Sequence, residues 1–213
     1  LVGVALIMKA VGVERGYIGI ENNKPDAIRL MQEKVKSYPQ IEVVPLKVQY
    51  PQGGEKQLID AVIGRQVPAP PAIPISVGAV VQNVGTAFAI YEAVMKNKPL
   101  ISRIITVTGK SVKNPSNLLA RLGTPFSQLI DECGGLPADT GKIIGGGPMM
   151  GKVLPDVNKA VVTKTTSGLL VLPPDHNVVA RKVMEPARVR QITNSICCQC
   201  SRCTDLCPRN LIG

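Results

Sequence analysis

The chain has 213 residues, 45% of them apolar and 19% charged, a balance that excludes a disordered polymer and allows one large domain or two small ones. The formal net charge is +10, but the excess reads as spread along the chain and not as a Lys/Arg cluster on one element, so no duplex-binding footprint is expected. Aromatics make up 3%, with no Trp, which argues against a stacking platform for single-stranded nucleic acid.

Val4, Ala5, Leu6 and Met8 open the chain like the tail of a helix. No basic region precedes this apolar stretch, so no signal peptide is expected. The missing initiator Met and the end at Gly213 read as a piece of a longer protein. Tyr17 to Ile20 is β-prone, and Pro25 and Asp26 suit a helical first turn. Ala27, Ile28, Met31 and Val35 recur at helical spacing, which predicts a helix to about Ser37, and Ile41 to Val44 is a second strand. This strand–helix–strand order implies a parallel pair with a crossover helix.

The glycines of Gln52-Gly53-Gly54-Glu55-Lys56 precede a predicted helix over 56–63. Paired glycines there admit a phosphate or a flavin, or form a plain turn. The longest uncharged run, Gln66 to Tyr91, is broken by Pro68, Pro70, Pro71 and Pro74, so no transmembrane segment is expected. Asn83 and Thr86 stand where caps are usual, before a helix with Ala87, Ile90, Tyr91 and Val94 on one side.

Past Pro99 the pattern changes. Ile104 to Thr108 is a strand stopped by Gly109. Thr124 is expected as N-cap, with Pro125 in the first turn of a helix that carries Phe126, Leu129 and Ile130 and ends at Gly134-Gly135. Lys142 to Ile144, the glycine run from Gly145 to Gly151, the β-prone Ala160 to Thr163, and Gly168 to Leu172 complete a compact α+β unit of β-grasp type. A basic linker, helical around Val178 to Met184, follows. His176 is expected to be solvent-exposed, with no nucleophile motif near it. No Ser-His-Asp set, no paired catalytic carboxylates and no complete G-x-G-x-x-G appear in the sequence.

Five cysteines lie close together near the end. Cys197, Cys200, Cys203, Cys207 and Pro208 spell C-x2-C-x2-C-x3-C-P, the spacing of a ferredoxin-type [4Fe–4S] site. Thiolates two residues apart can wrap three corners of an iron–sulfur cube. Structural zinc usually separates its ligand pairs by a long loop, and a disulfide framework needs a secreted context. In two-cluster ferredoxins the fourth Cys serves the other cluster. Cys197, Cys200 and Cys203 are therefore assigned to one cluster and Cys207 to a second, whose remaining ligands are expected beyond Gly213. Cys133 and Cys198 read as buried small apolar residues. Arg202 and Arg209 either raise the cluster potential or are solvated.

Six segments in order then resemble the flavin and iron–sulfur electron-input family related to the NADH-oxidising subunit of complex I. They are residues 18–27, 50–58, 82–87, 103–109 and 146–151, and the cysteine run. The C component of Rnf complexes and the cobalamin reductase of propanediol-utilisation microcompartments belong to this family, and the tail from Cys203 to Gly213 is more similar to the reductase.

The resemblance implies a truncated Rossmann-like FMN/NADH domain over 1–98, an SLBB-type β-grasp domain over 99–172, and a linker helix with the start of a ferredoxin-like segment over 173–213. It places Gly53, Gly54, Glu55, Lys56, Asn83 and Thr86 near the flavin, with the phosphate-cradling glycine loop upstream of Leu1. Gly85 and Lys56 depart from the complex I pattern.

The implied activity is NADH-dependent electron transfer through FMN and two [4Fe–4S] clusters, with no acid–base side chain. The implied acceptor is a corrinoid, with an adenosyltransferase partner; the alternatives are other Rnf subunits, or a docking module without its own flavin. The implied location is cytoplasmic, inside a microcompartment or peripheral on the membrane.

Overall fold

The computed structural model describes residues 1–148, 150–182 and 184–205. Its chain divides into two compact units, Leu1–Pro99 together with Cys200–Gly213, and Leu100–Gln199.

In the first unit, helix α1 (Val2–Val11) precedes strand β1 (Gly16–Glu21), helix α2 (Pro25–Lys34) and strand β2 (Ile41–Leu46). A short 3-10 turn over Val35–Ser37 ends α2, so the predicted helix loosens one turn early. β1 and β2 run parallel, with Ile18 opposite Val43. Parallel neighbours need a crossover, and α2 supplies it. Met8, Ile18 and Ile41 are buried together, with Met31, Val35 and Tyr38 packed against them. Helix α3 (Glu55–Ile63) buries Ile59, and helix α4 (Val84–Lys96) follows the proline-rich stretch. α1 and α4 cross closely at Gly3, where a Cβ would lie 1.9 Å from the Ala87 carbonyl oxygen.

The second unit is a five-stranded mixed sheet in the order β4-β3-β7-β5-β6. Its strands are β3 (Ser102–Thr108), β4 (Ser116–Arg121), β5 (Lys142–Gly145), β6 (Lys152–Val153) and β7 (Gly168–Leu172). First and last strands, β3 and β7, pair in parallel at the centre, and the other pairs are antiparallel. This is the β-grasp arrangement. One face packs on helix α5 (Phe126–Glu132): Ile105, Val107, Leu169 and Val171 meet Phe126, Leu129, Ile130 and Cys133. Each of the larger of these side chains contributes about 1.5–3 kcal/mol by leaving water. Helix α6 (Asn177–Lys182) covers part of the opposite face, where Val179 joins Ile144 and Leu172.

Local expectations fail where tertiary contacts outbid local signals. Pro125, not Thr124, is the N-cap of α5. Loop carbonyls do the capping: Phe126 and Ser127 donate to the oxygens of Ala160 and Val157, at 3.0 and 3.1 Å. Residues 160–163 are thus engaged at that helix end and make a single bridge, Pro125 to Val161, in place of a strand. His176 is half-buried, and its Nδ1 accepts from the Val178 N–H at 3.2 Å, at the start of α6. Helix α7 (Pro186–Ile196) was not predicted, although Pro186 sits in its first turn and Val189, Ile192 and Ile196 share one side.

No helix among the described residues is long and apolar enough to cross a membrane.

Candidate functional site

Two regions carry the candidate chemistry. The first comprises residues at the amino end of α3 and residues at the amino end of α4. Gly54 caps α3 in an extended conformation, and Asn83 caps α4, its side chain accepting from the Gly85 N–H at 2.8 Å. Space lies open around Gly53, where an added Cβ would meet nothing within 4 Å. Beside it, Gln52 has a buried side-chain nitrogen with no hydrogen-bond partner among the described residues. A buried amide donor left unpaired is costly, about 1–3 kcal/mol, so an orphan next to an open glycine fits a polar ligand at this turn. Gln52 was missed as a candidate; its place directly before the glycine pair was the available signal.

Lys56 has another task. Its ammonium donates to the carbonyls of Pro68 and Ala72 at 2.8 and 3.1 Å, tying the proline-rich loop to α3. Glu55 is exposed in the first turn of α3, a position the helix dipole favours for a carboxylate. Thr86 lines a mostly apolar cavity of about 710 Å³ between α1 and α4, with Lys9, Gln82 and Ile90. Of the six residues expected near the flavin, only Thr86 borders this cavity.

The second region is the cysteine loop. Helix α7 ends at Cys197, its C-cap. Gln199 and Ser201 both have positive φ, 55° and 57°. Two non-glycine residues in the left-handed region so close together are uncommon. Helix α8 (Arg202–Asp205), which contains the backbone of Cys203, follows directly. Cys197, Cys198 and Cys200 are all exposed. The exposure of Cys198 corrects the expectation that it is buried: it lies beyond the end of α7 and packs into neither core. Arg202 is exposed as well. Cys207 and Arg209 lie outside the described residues. Among the described residues no three metal-binding side chains are gathered at one point. Thiols are the soft donors that iron–sulfur clusters take, and three exposed ones stand in this segment.

Cys133 is fully buried under the β-grasp sheet, as expected. Burial pushes its thiol up from the ordinary 9.0, the Glu132 carboxylate adds to the rise, and hydrogen bonding from Ser116 opposes it. The folded chain thus holds this proton more tightly than the unfolded chain. The associated stability is fully present below the unfolded value and is lost as pH rises through the higher folded one. At neutral pH, peptide mapping after treatment with an aromatic disulfide reagent is expected to find Cys197 and Cys198 labelled and Cys133 unlabelled until urea unfolds the chain. Rapid native labelling of Cys133 would refute its placement.

Comparison with known proteins gives the same division. Residues 1–92 match the Nuo51 FMN-binding domain, and residues 104–153 match the SLBB domain. The chain is 44% identical over 211 residues to the C component of the Na(+)-translocating ferredoxin:NAD(+) oxidoreductase complex of Acetobacterium woodii, covering 99% of this chain and 44% of that protein. It is 37% identical over 211 residues to the cobalamin reductase PduS of Citrobacter freundii, covering 99% of this chain and 46% of that one. The chain therefore spans less than half the length of these curated relatives. Among solved structures, an NAD+-reducing [NiFe]-hydrogenase aligns with a TM-score of 0.67 at 18% identity, over 91% of this chain and 41% of the hydrogenase chain, a likeness of fold. With a parallel α/β unit, a β-grasp unit and both domain matches in agreement, the chain joins a Nuo51 FMN-binding domain to an SLBB domain, and it is similar over 99% of its length to the Acetobacterium C component and to PduS.

Proposed function

We propose that this chain is the electron-input portion of an NADH-linked flavo-iron–sulfur oxidoreductase, of the type that serves Rnf complexes as their C component. The observation that carries the reading is the cysteine loop: exposed thiols held by two left-handed residues at the end of α7, in a chain whose first part matches an FMN-binding domain. In this reading residues 1–98 serve the flavin and NADH, residues 99–172 form the SLBB-type module, and residues 173–213 lead to the clusters.

Bound FMN supplies exchange between a two-electron hydride donor and one-electron carriers, and thiolate-bound [4Fe–4S] clusters supply the one-electron stations. Gly53 leaves room for the flavin to approach the backbone, Gly54 forms the N-cap of α3 beside it, and the unpaired Gln52 amide donates to it. Asn83 and Thr86 hold the start of α4 beside it, Glu55 lies at the rim, and Lys56 fixes the loop that borders the site. Cys197, Cys200 and Cys203 ligate one cluster and Cys207 another.

Identity to the Acetobacterium C component, at 44%, exceeds the 37% to PduS. This favours other membrane-complex subunits as partners, with a peripheral location on the membrane. The PduS likeness supports a second reading, in which the acceptor is a corrinoid inside a microcompartment.

The test uses the full-length protein, purified without oxygen and loaded with FMN. NADH is expected to bleach both flavin and cluster absorbance. Cys200→Ser is expected to remove most of the visible cluster absorbance while NADH-driven ferricyanide reduction persists. Unchanged cluster absorbance in that variant would exclude Cys200 as a ligand, and a colourless, zinc-containing protein would overturn the proposal. NADH-driven reduction of cob(III)alamin would favour the second reading.

A further inference from the structure

We propose that β4 of the β-grasp unit is a docking edge that takes an extended, acidic segment of a partner protein as an added strand. The inference stands on the second unit alone and does not depend on the flavin reading. β4 is an outermost strand of the sheet. Antiparallel ladders alternate between residues that bond inward and residues that face out. The phase is fixed by the bond from the Leu122 N–H to the Ile101 oxygen, 3.0 Å: residues 120 and 118 bond to β3, while Asn117, Leu119 and Arg121 turn their backbone groups to the open side. The Arg121 oxygen accepts from Thr124. Among the described residues no backbone partner meets the outward N–H groups of these three or the carbonyls of Asn117 and Leu119.

Folded proteins usually blunt such an edge with proline, a bulge or an inward-pointing charge. Between Ser116 and Ala120 there is no proline and no charged side chain. Instead, Leu119 sits directly opposite Ile104, 71% and 60% exposed. This apolar pair lies on the sheet face that α6 covers only at its β5 and β7 side, through Val179. An added strand would extend the ladder and place alternate apolar side chains over Leu119 and Ile104.

Charge selects the occupant. No Asp or Glu occurs from Ala93 to Ile130, while Lys110, Lys113 and Arg121 fall on the β3–β4 hairpin, Arg121 on the same face as Leu119; Arg103, opposite Ala120, is on the α5 face and donates to the Lys164 carbonyl. The chain-wide excess, dispersed in sequence, is therefore locally one-signed here. None of the four pairs with a carboxylate among the described residues. The next acids, Asp131 and Glu132, belong to the end of α5, which meets the hairpin tip where Asn114 donates to the Cys133 oxygen; Arg121 lies at the opposite end of β4. A second copy of this chain would bring the same cations to the same edge, and like charges across a strand pair are destabilising. An extended segment with carboxylates flanking aliphatic side chains is complementary to both features, and its binding weakens as salt is raised.

The test titrates a labelled peptide alternating valine and glutamate against the whole chain, with fluorescence anisotropy and amide hydrogen exchange as readouts. The expected result is salt-sensitive binding that protects residues 117–121. Leu119→Pro removes an outward N–H without taking a bond from the β3 ladder; it is expected to abolish binding with the far-ultraviolet circular dichroism unchanged. Arg121→Glu, a surface change, is expected to weaken binding about tenfold, equivalent to about 1.4 kcal/mol. The proposal is overturned by any of four results: no binding, equal binding by both variants, equal binding of a peptide with lysine in place of glutamate, or self-association of the free chain that protects the same residues.

Discussion

Gly109→Ala is expected to cripple the β-grasp unit. Gly109 follows β3 with φ at +134°, and a Cβ there would lie 1.9 Å from the Val171 carbonyl oxygen and 2.8 Å from the Val171 carbonyl carbon. Two costs therefore combine. The backbone conformation is one that side chains other than glycine rarely adopt, about 1–3 kcal/mol. The clash is with backbone of the central strand β7, which cannot rotate aside as a side chain could, and overpacking of that kind costs about 1–3 kcal/mol. Their total is a large share of an ordinary domain's stability, about 5–15 kcal/mol. Val171 is itself fully buried in the core beside Cys133, so labelling of Cys133 at low urea is the direct readout. A variant in which Cys133 stays as protected as in the parent would show that β3 and β7 do not approach at this point.

Gly3→Ala is the second large effect, in the first unit. An alanine in an exposed helix interior normally gains about 1 kcal/mol over glycine. Here the same methyl would sit 1.9 Å from the Ala87 oxygen and 2.7 Å from the Ala87 carbonyl carbon. Neither helix can yield locally, because the obstructing atoms are helix backbone. α1 and α4 must separate, and the apolar contact they share is lost. We expect a net loss of about 1–3 kcal/mol, the steric cost exceeding the propensity gain. All four tyrosines, Tyr17, Tyr38, Tyr50 and Tyr91, belong to the first unit, so tyrosine fluorescence monitors its urea midpoint. The same displacement moves the start of α4, with Asn83 and Thr86. Weaker FMN binding by the full-length variant is therefore expected alongside the lower midpoint. An unchanged midpoint would mean that the close crossing is not a feature of the folded protein.

The local periodicities were enough to find most elements. Ala27, Ile28, Met31 and Val35 marked α2, which ends one turn before the predicted end, and the run from Ile104 to Thr108 with its Gly109 stop marked β3 to within two residues. β4 escaped notice because Ser116-Asn117-Leu118-Leu119-Ala120-Arg121 has little intrinsic strand preference; pairing with β3 decides its state. Pro125 and the 160–163 segment were misjudged for the same kind of reason, since the amino end of α5 is satisfied by carbonyls thirty or more residues away in sequence.

By itself, the sequence determined that the chain is an α/β unit followed by a β-grasp unit and a thiol-rich run. Periodicity, capping residues and cysteine spacing are short-range properties, readable residue by residue. The tertiary structure alone decided which face each unit buries, and that Gln52 holds an unpaired donor beside an open glycine. It also decided that Lys56 serves a neighbouring loop and that β4 keeps a bare, cationic edge. These depend on which distant segments arrive to make or withhold a contact, and no local pattern encodes that arrival.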